Sequence, residues 1–240
     1  MSYLIVGASS GLGRALAEEY AGGGYDLVLV SRDRRDIEPL AAHLRLRFGI
    51  AAVALAADLA DDNEYLAGIE GALAQVSPLR GLLLPIGASD PGDQIGLSDD
   101  LIVRLAYSNF INPCRLLNAL LPRLRGGDVV GFGSIAASRG RTRNAAYAAS
   151  KSALMTYFES LRHWAGAADI AVRFYIPGYL DTNLAFGQNL PFRAADTRSL
   201  ARRVRADTGL TRTRYYPGYW RFLVLLVSLL PWGIYRRLKF

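Results

Sequence analysis

The chain has 240 residues, 51% of them hydrophobic, enough for one sizeable core and too many for a disordered chain. A net charge of +7 fits nucleic acid, anionic lipid or phosphorylated ligands, but no stripe alternates stacking aromatics with Lys and Arg, so nucleic acid is not expected. One cysteine, Cys114, excludes an internal disulfide and fits a reducing compartment such as the cytoplasm. No secretory signal is read, because the first apolar run, at 3–6, stops at a glycine.

In chain order, short runs rich in Leu, Val and Ile at 3–6, 26–30, 51–56, 81–86, 128–132 and 170–176 predict strands covered on both faces. Helical patterns lie between them, near 12–22, 36–48, 62–75, 98–122 and 145–166. This alternation implies right-handed βαβ units and a parallel sheet, the doubly wound Rossmann-type α/β architecture. Tyr215-Tyr216-Pro217 reads as a seventh strand, and 183–206 as a mobile cover over the substrate. Ligands in such sheets bind beyond the carboxyl ends of the strands, so functional residues are sought just after the apolar runs.

After the first strand comes Gly7-Ala8-Ser9-Ser10-Gly11-Leu12-Gly13, which opens a helix. Glycines permit a tight turn and close backbone approach to a pyrophosphate, and the helix N-terminus offers free N–H groups to it. The second strand runs into Ser31-Arg32, where a 2′-phosphate is better served than a ribose hydroxyl, and Arg14 is a second candidate. NADP(H) is therefore favoured over NAD(H), with simple solvation of Arg14 and Arg32 as the bland alternative. Asp33 lies one residue beyond the usual acidic position. Asp58-Leu59 after the third strand is either an adenine contact or a cap. No metal is expected.

Tyr147 and Lys151 are four apart at the start of a predicted helix, and so share a face. A phenol titrates near pKa ~10. A nearby ammonium favours the phenolate and brings the group toward useful acid–base behaviour. Ser134, ending the fifth strand, can donate its hydroxyl to a carbonyl oxygen. The Tyr–Lys pair alone is a common surface arrangement; behind a phosphate turn and with Ser134 it is much more specific.

These residues resemble the short-chain dehydrogenase/reductase family over nearly the whole chain. The matching text is the turn from Gly7 to Gly13, Asp58-Leu59, Asn109, Ser134, Tyr147 with Lys151, and Pro177-Gly178-Tyr179-Leu180-Asp181-Thr182. The resemblance implies a ketone–alcohol oxidoreductase in which Tyr147 is the proton donor, Lys151 lowers its pKa and holds the nicotinamide ribose, and Ser134 polarises the carbonyl. It implies that Asn109 anchors a water relay to Lys151 and that Pro177, Gly178 and Thr182 line the nicotinamide side. It also implies a homo-oligomer. Val6 stands where the family usually has Thr, and Leu84-Pro85-Ile86-Gly87 where it has Asn-Asn-Ala-Gly. These places normally touch, so the changes are read as coupled, and Gly87 is carried over as a cofactor contact.

Arg139, Arg141 and Arg143 follow Ser134 in a loop read either as a receptor for phosphate or carboxylate or as a solvated basic loop. Residues 1–218 read as one NADP-binding catalytic domain and 219–240 as a hydrophobic C-terminal segment. Its uncharged run, 222–235, has fourteen residues, short of the ~20 needed to span a bilayer. Flanking aromatics and arginines suit a membrane interface, at the inner face; packing into the core or against a partner subunit is the alternative. With Tyr-Pro-Gly-Tyr-Trp-Arg before this tail, the chain resembles the lipid-linked keto-sugar reductase branch, such as the decaprenylphosphoryl-keto-ribose reductases. The competing readings are a soluble reductase of small ketones or β-ketoacyl groups, and a non-catalytic NADPH sensor or scaffold.

Overall fold

Alternation along the strands divides the core into two layers. In β1 (Ser2–Val6), Leu4 and Val6 face one layer and Tyr3 and Ile5 the other, the period-two pattern of a strand. The computed structural model describes residues 1–9, 11–60, 64–181 and 192–237. The other strands are β2 (Asp26–Ser31), β3 (Ala52–Ala56), β4 (Leu79–Leu84), β5 (Asp128–Phe132), β6 (Ala171–Pro177) and β7 (Arg212–Tyr216). All pair in parallel, in the order β3-β2-β1-β4-β5-β6-β7. The order reverses between β1 and β4, and this switch point opens a crevice at the carboxyl ends. The Tyr3 side is covered by α1 (Gly11–Gly22), α2 (Arg34–Phe48) and α7 (Thr197–Ala206). The Leu4 side is covered by α3 (Glu64–Leu73), α5 (Asn112–Leu120) and α6 (Ala145–Ala165).

Three expectations are corrected. The helix read over 98–122 is α4 (Asp99–Ala106), a π-helical turn (Tyr107–Ile111) and then α5. Pro113 has no N–H to donate, and the ladder shifts so that the Asn112 N–H reaches Tyr107 O, five residues back. The fourth strand ends at Leu84 rather than 86, so Pro85, which cannot donate to a ladder, and Ile86 lie beyond the sheet. Much of 183–206 is not a mobile cover: Asp196 accepts the N–H groups of Arg198 and Ser199, and α7 buries Leu200, Ala201 and Val204 beside α1. Residues 182–191 lie outside the described residues.

At the amino ends of the strands, opposite the crevice, a polar network crosses the core. Asp128 accepts the Tyr3 hydroxyl at 2.7 Å and a guanidinium hydrogen bond from Arg173. Arg173 also donates to Val204 O, and Tyr175 donates to Asp207 at 2.8 Å. Asp128 and Arg173 are both fully buried, so each charge depends on the other. Asp128→Ala should therefore cost about 3–5 kcal/mol in denaturant unfolding; a loss under about 1 kcal/mol would mean that Arg173 finds water instead.

Candidate active site

A cleft of about 690 Å³ opens at the switch point. Its wall contains Gly7, Ser9, Gly11 and Leu12 of the glycine turn, then Ser31, Arg32, Asp58, Leu59 and Gly87. Gly7 has φ of +92°, where glycine is the residue that fits. Gly13 does not line the cleft, but a Cβ there would fall 1.9 Å from Gly7 O, so its absence lets α1 start against the turn. Ser10 and Thr182 lie outside the described residues. Arg14 and Arg32 are both exposed; Arg32 is among the residues lining the cleft and Arg14 is not.

Asp33 is turned to another task. It caps α2, accepting the Arg35 N–H at 2.8 Å, and pairs with the Arg35 guanidinium at 2.6 Å. These hydrogen bonds hold its carboxyl down at about 2. Asp58 lines the cleft and also accepts the Ala60 N–H at 2.9 Å. Next to the Val6 departure, a Cβ at Gly7 would lie 3.4 Å from both Ile86 Cα and Pro85 O of the Leu84–Gly87 departure.

Ser134, Tyr147 and Lys151 come together on the opposite wall, with Pro177 and Gly178 beside them. Ser134 Oγ accepts the Ala136 N–H at 3.1 Å, which leaves its O–H to donate. It lies within hydrogen-bonding reach of Tyr147. Lys151 is 1% exposed. It donates to Phe132 O at 3.0 Å and to Ile86 O, and its Nζ stands 6.0 Å from the Tyr147 ring centroid. Burial raises Tyr147, opposed by Ser134 and by the charge of Arg141. Burial also lowers Lys151 to about 7.

Asn109 is absent from the wall. It is buried in the π-helical turn, and its side-chain amide accepts the Ala88 N–H at 2.9 Å and donates to Ala88 O at 2.8 Å. It fixes the strand-end loop that contributes Gly87 and Ala88 to the wall. Sequence reasoning passed over Asp93. Its carboxylate accepts the N–H groups of Ala146 and Tyr147, each at 2.9 Å, and its own carbonyl accepts the Asn144 N–H. Asn144 itself sits in the left-handed region at φ 54°, so the helix start that presents Tyr147 is set by a loop about fifty residues upstream. The sequence signal was weak: an Asp in a Pro-Gly-Asp loop.

The C-terminal segment also belongs to the cleft. Within α8 (Trp220–Leu229), Trp220, Leu223, Val224 and Val227 recur at one-face spacing and all line it. A Cβ on Gly178 would lie 1.9 Å from Trp220 Nε1, so the Pro177-Gly178 turn and α8 are fitted to each other. Tyr235, in α9 (Trp232–Tyr235), closes the far end, donating its hydroxyl to Gly140 O at 2.9 Å.

Lys151 gives a pH test. Its folded pKa lies below the value near ~10.4 of an unfolded lysine. Between the two, the unfolded chain holds a proton the fold does not, so stability rises with pH in that window, and the penalty is complete below about 7. Wild type should gain on the order of a few kcal/mol relative to Lys151→Met between pH 7 and about 9.5. Parallel curves for the two proteins would show that the ammonium is not desolvated.

The short chain dehydrogenase family model matches residues 2–190. Dehydrogenase/reductase SDR family member 7B of Bos taurus is 34% identical over 194 residues, covering 76% of this chain and 58% of that protein. Inactive hydroxysteroid dehydrogenase-like protein 1 of Rattus norvegicus is 25% identical over 226 residues, covering 90% and 68%. The chain thus spans about three-fifths of the length of the first of these relatives. A solved short-chain dehydrogenase from Sphingobium yanoikuyae in complex with NADPH superposes with a TM-score of 0.81 at 27% identity, covering 99% of this chain and 96% of that one. With the matched region taking in both the glycine turn and the Ser134, Tyr147 and Lys151 wall, the chain belongs to the short-chain dehydrogenase family.

Proposed function

We propose that the chain is an NADP(H)-dependent oxidoreductase interconverting a ketone and a secondary alcohol. The observation that carries the reading is the convergence of Ser134, Tyr147 and Lys151 on the cleft that the Gly7 turn also lines. The turn fits a pyrophosphate: backbone comes close where Gly7 and Gly13 carry no side chain, and the start of α1 offers free N–H groups and a positive dipole end. Arg32 lines the cleft while Asp33 is spent on capping, which supports NADP(H) over NAD(H). When bound, the nicotinamide supplies or accepts the hydride.

The chain's own residues handle the oxygen. Ser134 donates its O–H to the carbonyl oxygen. Tyr147 gives its phenolic proton to that oxygen as the carbon is reduced, and takes it back in the reverse direction. Lys151 spends two of its three N–H donors on Ile86 O and Phe132 O. The third is left for the nicotinamide ribose, while the charge that opposes the burial-raised pKa of Tyr147 is that of Arg141. Asn109 acts as a positioning residue through Ala88. Tyr147→Phe should lower turnover about 10²–10⁴-fold, the usual share of a general acid, with NADPH affinity retained. In the same fluorescence titrations, Arg32→Glu should lose the preference for NADPH over NADH. Equal binding of both cofactors by wild type would sink the NADP(H) assignment, and binding without turnover on any carbonyl would favour the sensor reading.

The C-terminal segment supports an apolar or lipid-linked carbonyl substrate taken up at a membrane surface. One face of α8 lines the cleft, while Phe222, Leu226 and Leu229 on the other are 71%, 62% and 72% exposed. Arg221, Arg236 and Arg237 are exposed beside this apolar face, an arrangement suited to an anionic bilayer. Among the described residues no helix is long and apolar enough to cross a membrane. The protein should float with phosphatidylglycerol vesicles and lose that behaviour on Leu226→Asp with Leu229→Asp. No flotation, with a dimer that the same substitutions split, would assign the face to a second copy of the chain.

A further inference from the structure

Three buried side-chain atoms lack a hydrogen-bond partner among the described residues: Tyr20 Oη, Arg173 Nε and Arg141 Nε. The first two belong to one network, where Arg173 also holds Asp128 and Val204 O. Arg141 has no such company. Its guanidinium forms no ion pair with any described residue, and it lines the cleft within electrostatic reach of Tyr147. The residue as a whole is part-exposed, but its Nε is buried without a partner among the described residues, and a guanidinium uncommitted at the cleft wall is free to receive a ligand.

The fold separates the three arginines of this loop. Arg139 is already committed: it donates to Val227 O at the end of α8 and lies 4.0 Å from the centre of the Tyr235 ring. It fastens the C-terminal segment over the cleft. Arg143 is exposed and is not part of the wall. Only Arg141 of the three is both inside the cleft and uncommitted. Among the described residues the wall favours anions, since it holds Arg32, Arg139, Arg141 and Lys151 against one carboxylate, Asp58, which is engaged by Ala60. Arg32 stands at the far, cofactor-facing end after β2, whereas Arg141 follows Ser134 and neighbours the α8 wall.

We infer that Arg141 is a specificity-determining residue that receives an anionic oxygen group of the substrate, carboxylate or phosphate, with the apolar remainder lying along the inner face of α8. The planar guanidinium suits either group bidentately. The inference rests on the proposed hydride-transfer reading for the placement of the carbonyl, but not for the anion site itself.

The test uses the full chain saturated with NADPH and three probes of equal chain length: octyl phosphate, octanoate and octanol. Wild type should bind at least one of the anions about tenfold more tightly than octanol, and the tighter of the two identifies the group. Arg141→Gln should weaken that anion about 10–100-fold, the range of a charge-assisted hydrogen bond, while NADPH affinity reports an intact fold. Arg143→Gln serves as the surface control and should change neither. Equal affinity of wild type for all three probes, or a loss in Arg141→Gln shared equally by octanol, overturns the assignment. Reduction of a neutral aryl ketone by the wild type is measured alongside. If neither that ketone nor an aliphatic keto acid is reduced while anion selectivity holds, the hydride-transfer reading falls and Arg141 remains a ligand site.

Discussion

The arrangement hinges on a cation placed where water cannot reach it. Lys151 projects from α6 into the crevice between the ends of β4 and β5 and donates to Ile86 O and Phe132 O. An ammonium left without partners there would be strongly disfavoured. The two carbonyls are the compensation, and they bind α6 to both strand ends at once. Everything nearby then has one allowed place. Ala88 is held from behind by Asn109, and the first turn of α6 is held by Asp93. Gly87 comes so near Tyr147 that a Cβ would stand 4.0 Å from the hydroxyl. Such a site is organised before a substrate arrives, which is the condition under which fixed dipoles and donors accelerate a reaction.

The two ends of the sheet treat buried charge differently. At the amino ends, Asp128 and Arg173 neutralise each other, and tyrosines take up the remaining acceptors. At the carboxyl ends, among the described residues, Lys151 has only neutral carbonyls and Arg141 Nε has no hydrogen-bond partner. The first pattern contributes rigidity. The second keeps charge available for a ligand, at a cost in stability that the rest of the fold must cover.

The strands and the site motifs were legible because their signals are local. A continuous Leu-Val-Leu-Val run before Ser31 has few alternatives to a covered strand, and Tyr147 and Lys151 share a helix face by spacing alone. What was missed depends on residues far apart in the chain. α7 carries only Leu200, Ala201 and Val204 as its buried stripe among four arginines, so its text reads as a polar loop until α1 is seen beside it. Asp93 becomes significant only when its loop folds under α6. Arg14 and Arg32 look equivalent on paper, and both are exposed, yet only the latter of the two lines the cleft. The three arginines after Ser134 were likewise one undivided cluster until α8 supplied Val227 O for Arg139.

The proposed reacting groups and the apolar wall of α8 lie in different stretches of this chain. The turn, the switch point and the residues around Tyr147 all fall within the region, 2–190, that the family model matches. The wall of Trp220, Leu223, Val224 and Val227, with the Arg139 fastening, depends on residues beyond it. A shared fold hosts many substrates because its reacting groups sit on rigid strand ends while later segments shape the space in front of them. Here that later segment is itself two-faced, apolar toward the cleft and apolar toward the outside. Anything that covers its outer face, lipid or protein, presses on the same helix that borders the substrate. On the proposed function, association at the outer face would be coupled to substrate choice through α8.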